Sequence, residues 1–182
     1  AMVPNAGTDH ASPGVAFNGT DYFVAWSDAR AGAGLDIYGT LVTAAGVVST
    51  PLGVMVSNAA NAQTQPSIAS NGTDFLVVWG DTRNGVDDIY GSRVTSAGVV
   101  LNPTGIAVST ATASQFSPSA TSTGSDYFVV WADVRGGTFD TYGTRVHAAG
   151  SVLDPSGILI STVSNAQNSP KVASNGTNFL VV

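Results

Sequence analysis

The sequence predicts an all-β protein assembled from repeated four-stranded sheets, and three observations carry that expectation. Trp26, Trp79 and Trp131 stand 53 and 52 residues apart, and Pro13, Pro66, Pro118 and Pro170 keep steps of 53, 52 and 52. The text around each Trp also recurs. It reads Asn18-Gly-Thr-Asp-Tyr-Phe-Val-Ala-Trp26, then Asn71-Gly-Thr-Asp-Phe-Leu-Val-Val-Trp79, then Thr123-Gly-Ser-Asp-Tyr-Phe-Val-Val-Trp131, with a part copy from Asn175 to Val182. Finally, all twelve acids are Asp, and a single Lys (Lys171) accompanies five Arg, so the Glu and Lys that usually surface amphipathic helices are missing. A fixed period of this length is the signature of a repeat architecture.

Each unit reads as four short strands. Taking the second unit, the first strand runs from Ser67 to Ser70 after the proline and ends at Asn71-Gly72, a two-residue hairpin signal with positive φ expected at both positions. The second, Phe75 to Trp79, is apolar on both faces, as a strand sandwiched between layers must be. The third, Asp88-Ile-Tyr-Gly-Ser-Arg-Val94, is rich in β-formers and ends before Ala97-Gly98. The fourth, Gly105 to Ser109, is short and suits an outer edge. The Ala/Asn/Ser/Gln stretch from Asn58 to Gln65 carries the chain from one unit to the next. The only length difference falls in one loop: Asp28 to Asp36 is one residue longer than Asp81 to Asp88 or Asp133 to Asp140.

Four antiparallel strands every ~52 residues, with the second buried on both faces, predict the blade of a β-propeller. An open stack of sheets such as a β-solenoid is the runner-up, although solenoid coils run nearer about 20–30 residues. The units fall at 13–65, 66–117 and 118–169, with a partial unit at 170–182 and residues 1–12 ending a preceding one. About three and a half blades do not make a ring. A four-position monomer, a head-to-tail homodimer closing the ring and a fragment of a longer protein remain open as solutions, and exposed apolar edges invite self-association.

Composition excludes several classes. A net charge of −6 argues against binding the nucleic-acid backbone. Zero Cys removes a disulfide scaffold, a thiol nucleophile and a Cys-ligated zinc site. No apolar run approaches a membrane span, and the opening Ala1-Met2-Val3 does not read as a signal peptide.

The block Trp79-Gly-Asp81-Thr-Arg83-Asn-Gly-Val-Asp-Asp88-Ile-Tyr-Gly-Ser-Arg-Val94 resembles a repeat of secreted bacterial proteins from myxobacteria and related groups, over essentially the whole chain. Thr141 replaces the Ile in the third copy, and Leu41 stands where the later copies have Arg93 and Arg145. The resemblance implies a propeller-like extracellular or cell-surface module, usually part of a larger protein, with no single activity attached.

The most specific polar feature is the recurring set Asp28/Arg30/Asp36, Asp81/Arg83/Asp88 and Asp133/Arg135/Asp140. Its first reading is an Asp–Arg–Asp bridge pinning the loop between the second and third strands, with the Arg stacked near Trp or Tyr. The same nine residues are the candidate ligand-binding set. Asp and Arg could bond sugar hydroxyls beside a stacking aromatic, and equivalent weak sites would add avidity. Calcium is a third reading of Asp-rich Gly loops, opposed by the central Arg; otherwise no cofactor is expected. His10, where later units have Gln63, Gln115 and Gln167, and His147, where earlier ones have Thr43 and Thr95, read as surface substitutions. Tyr38, Tyr90 and Tyr142 read as blade-packing residues, and the Gln series as amides satisfying backbone groups at the crossings. Carboxylates that recur in every unit argue against a single asymmetric active site. The expectation is therefore a non-catalytic extracellular binding or structural propeller, with glycans as the ligand class and a second copy as the partner. A purely structural or self-assembling unit is the alternative.

Overall fold

The computed structural model describes residues 10–32, 34–163 and 167–182. Of residues 1–12, expected to end a preceding unit, 1–9 lie outside them and 10–12 belong to the first strand described below. Each complete unit folds as a four-stranded antiparallel meander: β1 (His10–Phe17), β2 (Asp21–Asp28), β3 (Asp36–Thr43) and β4 (Val54–Ser57) form the first sheet. The second sheet holds β5 (Gln63–Ser70), β6 (Phe75–Asp81), β7 (Asp88–Val94) and β8 (Ile106–Ser109). The third holds β9 (Gln115–Ser122), β10 (Tyr127–Asp133), β11 (Asp140–Val146) and β12 (Ile158–Ser161). A two-stranded sheet of β13 (Val172–Ser174) and β14 (Phe179–Val181) follows.

The doubly apolar second strand explains how the sheets stack. Every residue of β6 is buried. Phe75, Val77 and Trp79 pack with Phe23, Ala25, Ile37 and Leu41 of the first sheet. Leu76 and Val78 point the other way, into a core shared with Tyr127, Val129 and Trp131 of the third. Each large apolar side chain buried this way contributes roughly 1.5–3 kcal/mol, and only because a sheet covers each face. The first strands, β1, β5, β9 and β13, lie side by side in sequence. They converge on a common axis while β4, β8 and β12 lie outside, which is the arrangement of propeller blades.

Two local expectations are corrected. The first strand begins earlier than Ser67, at Gln63, which pairs with Asp81. The ladder absorbs Pro66, which cannot donate a bond, in a bulge between Thr64 and Ser67. The hairpin is also not a two-residue turn. Four residues separate the paired Phe17 and Tyr22, and only Gly19 is left-handed, at φ 97°. Asn18 instead accepts the amides of Thr20 and Asp21 on its side-chain oxygen, at 2.9 and 2.8 Å. An Asx turn does the work expected of a second positive φ.

The crossing glutamines cap backbone as the spacing suggests. Gln63 Nε2 donates to the carbonyls of Ala59, Ala60 and Asn61. Among the described residues the buried Oε1 atoms of Gln63 and Gln115 meet no donor, whereas Gln167 Oε1 accepts from Thr141 Oγ1 at 2.9 Å. The one departure from Asp-Ile-Tyr-Gly in the repeat therefore supplies a hydrogen bond that isoleucine cannot.

Candidate functional site

The nine candidate residues gather on one rim, where each second strand ends and each third begins. Asp81 closes β6, is 0% exposed, and accepts four donors: the Trp79 indole at 2.8 Å, the Arg83 amide and Nε both at 2.9 Å, and Arg83 Nη2 at 2.6 Å. Residues two apart on a strand share a face, which brings Trp79 and Asp81 together. Arg83 then lies over Tyr90, its guanidinium carbon 3.9 Å from the ring centroid, and donates to the Thr104 carbonyl at 2.6 Å, in the loop before the outer strand. One side chain thus fastens the second strand, the third strand and the approach to the fourth. Asp133 and Arg135 repeat this with Trp131, Tyr142 and the Ser156 carbonyl. Asp28 and Arg30 repeat it with Trp26, Tyr38 and the Leu52 carbonyl. His10 adds an Nε2 contact to Asp28 at 3.0 Å.

The second carboxylates stand apart from the arginines. Asp88 pairs across the ladder with Asp81 but is bonded by Asn84 Nδ2, at 2.7 Å. In the first blade the two carboxylates are pushed in opposite directions. Burial opposes ionisation of Asp28, but donation from Arg30 and Trp26 outweighs it and holds the carboxyl down at about 2. Burial and the charge of Asp28 push Asp36 up. Burial, only partly offset by Asn84, pushes Asp88 up as well, and Asp81 adds to it. All six carboxylates are turned into the blades, and among the described residues no three His, Asp or Glu side chains cluster as a metal-ligand set.

The axis is built differently. Each complete first strand bulges at its proline, with a left-handed residue before it: Ser12 at φ 53°, Gln65 at 54° and Ser117 at 51°. Left-handed backbone costs a non-glycine residue roughly 1–2 kcal/mol, so three copies concentrate strain along one line. These residues line an open groove of about 440 Å³ together with the flanking prolines, Ser67, Ser169 and Lys171, and no carboxylate lines it. Ser67 Oγ accepts the Ala120 amide at 3.1 Å and Ser119 Oγ the Val172 amide at 3.3 Å, tying one first strand to the next.

Asp87 is one of the acids that break the repeat. It stands where the first and third units have Leu35 and Phe139. Phe139 packs on Phe116 of β9, with ring centroids 5.9 Å apart. The equivalent positions in the second unit are Asp87 and Thr64, and Asp87 lies in the loop before β7, outside the residues that line the groove. Its carbonyl accepts the Gln115 amide at 2.7 Å, fixing the loop at the crossing to the third sheet. Burial raises its carboxyl, and the adjacent Asp88 charge raises it further.

No family model and no curated protein matches this sequence. Solved structures do match its fold. An α-L-arabinanase from Penicillium chrysogenum, complexed with arabinobiose, is similar at TM-score 0.62 and 12% identity, covering 95% of this chain and 51% of its own. The catalytic domain of a family 62 α-L-arabinofuranosidase from Coprinopsis cinerea is similar at TM-score 0.57 and 12% identity, covering 99% and 62%. TolB from Acinetobacter baumannii is similar at TM-score 0.50 and 18% identity, covering 96% and 37%.

The chain is an all-β propeller arc.

It spans between 37% and 62% of those three chains' own length. The expectation of a non-catalytic module, and with it the assignment as no enzyme, is overturned: several of the structures it resembles are glycoside hydrolases. The fault in that expectation was to weigh only the repeated carboxylates. Those hold blades together, and Asp87 is an acid that the other units lack.

Proposed function

We propose that this chain is part of a carbohydrate-active β-propeller of the glycoside hydrolase kind, receiving its glycan in the axial groove. The observation that carries this reading is Asp87, a half-buried carboxylic acid that the other units lack at this position, at the crossing where its carbonyl meets the start of β9, with its proton held more tightly than usual. A general acid must keep a proton at working pH to protonate a leaving oxygen, and burial beside a second carboxylate is how proteins arrange that. Hydroxyls and amides on the axis, from Ser12, Gln65, Ser67, Ser117 and Ser169, are the donors and acceptors a sugar chain needs. The resemblance to arabinose-releasing enzymes makes an arabinan-type polymer the first substrate to try. The likeness of the repeat to secreted bacterial proteins fits an extracellular setting, where such polymers are found.

Hydrolysis pairs the acid with an ionised carboxylate on the far side of the bond, where ring-completing blades would stand. The assay is therefore run on dilute and on concentrated protein. Reducing ends should be released from linear arabinan or arabinoxylan at one concentration at least, and Asp87→Asn should cut that rate about 100-fold or more while the melting curve holds. No release at either concentration, or release indifferent to Asp87→Asn, overturns the reading.

A further inference from the structure

The hairpin ends of neighbouring sheets are joined by polar side chains at one junction and by apolar ones at the other. Between the second and third sheets, Arg93 of β7 donates from Nε to Asn102 Oδ1 at 3.1 Å and from Nη1 to the Ala148 carbonyl at 3.2 Å. Tyr127 Oη donates to the Asp74 carbonyl at 3.2 Å in the same junction. Burial raises the pKa of the Tyr127 hydroxyl; the Asp74 charge adds to this and the Arg93 charge opposes it, so both charges stand close by. Between the first and second sheets, Leu41 replaces Arg93, Phe75 replaces Tyr127, and Asp21 is the counterpart of Asp74. Leu41 follows the course of the arginine. A methyl group on Gly98 would meet Leu41 Cδ1 at 3.1 Å, as one on Gly150 would meet Arg93 Nε at 2.9 Å. Leucine, however, has nothing to donate to the Ser96 carbonyl, the counterpart of that of Ala148.

An open cavity of about 350 Å³ lies at this first junction, lined by Asn18, Thr20 and Asp21 of one hairpin and by Gly72, Thr73 and Ser96 of the next sheet. Asp21 is half-buried, and among the described residues its carboxylate meets no donor. Asp74 and Asp126, by contrast, accept the Ser96 and Ala148 amides, each at 3.1 Å. Asp21 shares its face of β2 with Phe23, which packs on Phe75, so both walls of the cavity belong to this chain. We propose that the cavity is a binding site for an alkylguanidinium group, the chemistry that Arg93 supplies at the next junction. The planar group carries N–H donors along two edges; one meets the Asp21 carboxylate and the other the Ser96 carbonyl. An ammonium, a compact charge, serves one of these acceptors at a time. The site lies at the opposite end of the sheets from the Asp–Arg clasps and is independent of any glycan at the axis.

An amide NMR titration with n-butylguanidinium tests the site, with n-butylammonium as the control of equal charge. Saturating shifts are expected at Thr20, Asp21, Thr73 and Ser96, with a Kd of about 10 mM or tighter and the ammonium about fivefold weaker or more. Asp21→Asn should weaken binding about fivefold or more with the melting curve unchanged. Leu41→Arg, which restores the residue of the later copies, should occupy the cavity from within and abolish the shifts. A capped Gly-Arg-Gly peptide that moves the same amides equally assigns the group to an arginine side chain of a partner, whereas shifts from butylguanidinium alone assign it to a free small molecule. No saturation by about 50 mM, shifts confined to other residues, or binding unchanged in Asp21→Asn or in a folded Leu41→Arg protein would overturn the proposal.

Discussion

Replacing Asp81 with alanine should cost about 3–5 kcal/mol, measured as the change in free energy of urea unfolding. The carboxylate is fully buried and is the common acceptor of the Trp79 indole and of the backbone and guanidinium of Arg83. Its removal leaves a largely covered cation against Tyr90 and a buried N–H without a partner. Losing one member of a buried pair is costly for that reason, although an apolar substitute for the whole set need not be. A comparison within the molecule sharpens the expectation. The pair Arg145–Asp154 is of similar length, at 2.8 Å against 2.6 Å, but has a largely exposed arginine, so Asp154→Ala should cost much less. Equal losses for the two variants would mean that burial of the carboxylate is not what gives the clasp its strength.

Gly39→Ala should be nearly as damaging, by about 1–3 kcal/mol or more, with the melting temperature as the readout. A methyl group there would sit 2.5 Å from two ring carbons of Phe23 and 2.9 Å from the Val24 carbonyl oxygen. The ring is fixed between two sheets, and the carbonyl belongs to a strand paired along its whole length with β3. Neither can retreat cheaply. Gly80, where the nearest atom to such a methyl is 3.5 Å away, is the control, and Gly80→Ala should change the melting temperature little. If both variants melt alike, close approach of the second strand is not the reason for the glycine. The four positions of Asp-Ile-Tyr-Gly then have separate physical duties in the second sheet. Asp88 stands in the ladder opposite Asp81, Ile89 fills the core, Tyr90 lies under Arg83, and Gly91 lets the second strand approach.

Much of this was legible in the residues. The spacing of Trp and Pro located every blade, and the doubly apolar run from Phe75 to Trp79 required a neighbour on each face. Trp79 and Asp81, two apart at the end of β6, share a side by strand geometry alone. What the pattern concealed was three-dimensional. Proline marked the start of each first strand, yet it sits inside one, because a bulge beside the axis tolerates a residue that cannot donate. The same bulges create the groove, and nothing in hydrophobic periodicity signals a left-handed Ser12, Gln65 or Ser117. The arginine was expected to bridge both carboxylates of a blade, but it is spent on the first carboxylate, the tyrosine face and a distant carbonyl. Asp87 was visible as an Asp where its counterparts are Leu35 and Phe139. The signal lay in the mismatch, while attention to what recurs favoured the structural residues.

The central claim is that glycan chemistry belongs to the axis and that the rim clasps only hold the blades. An amide and indole NMR titration of the protein with arabino-oligosaccharides tests it most directly. The account predicts shifts confined to residues 64–67, 87, 117–119 and 169–171, with the indole signals of Trp26, Trp79 and Trp131 unmoved. Shifts of those indoles and of the Arg30, Arg83 and Arg135 loops, with the axis silent, would contradict it.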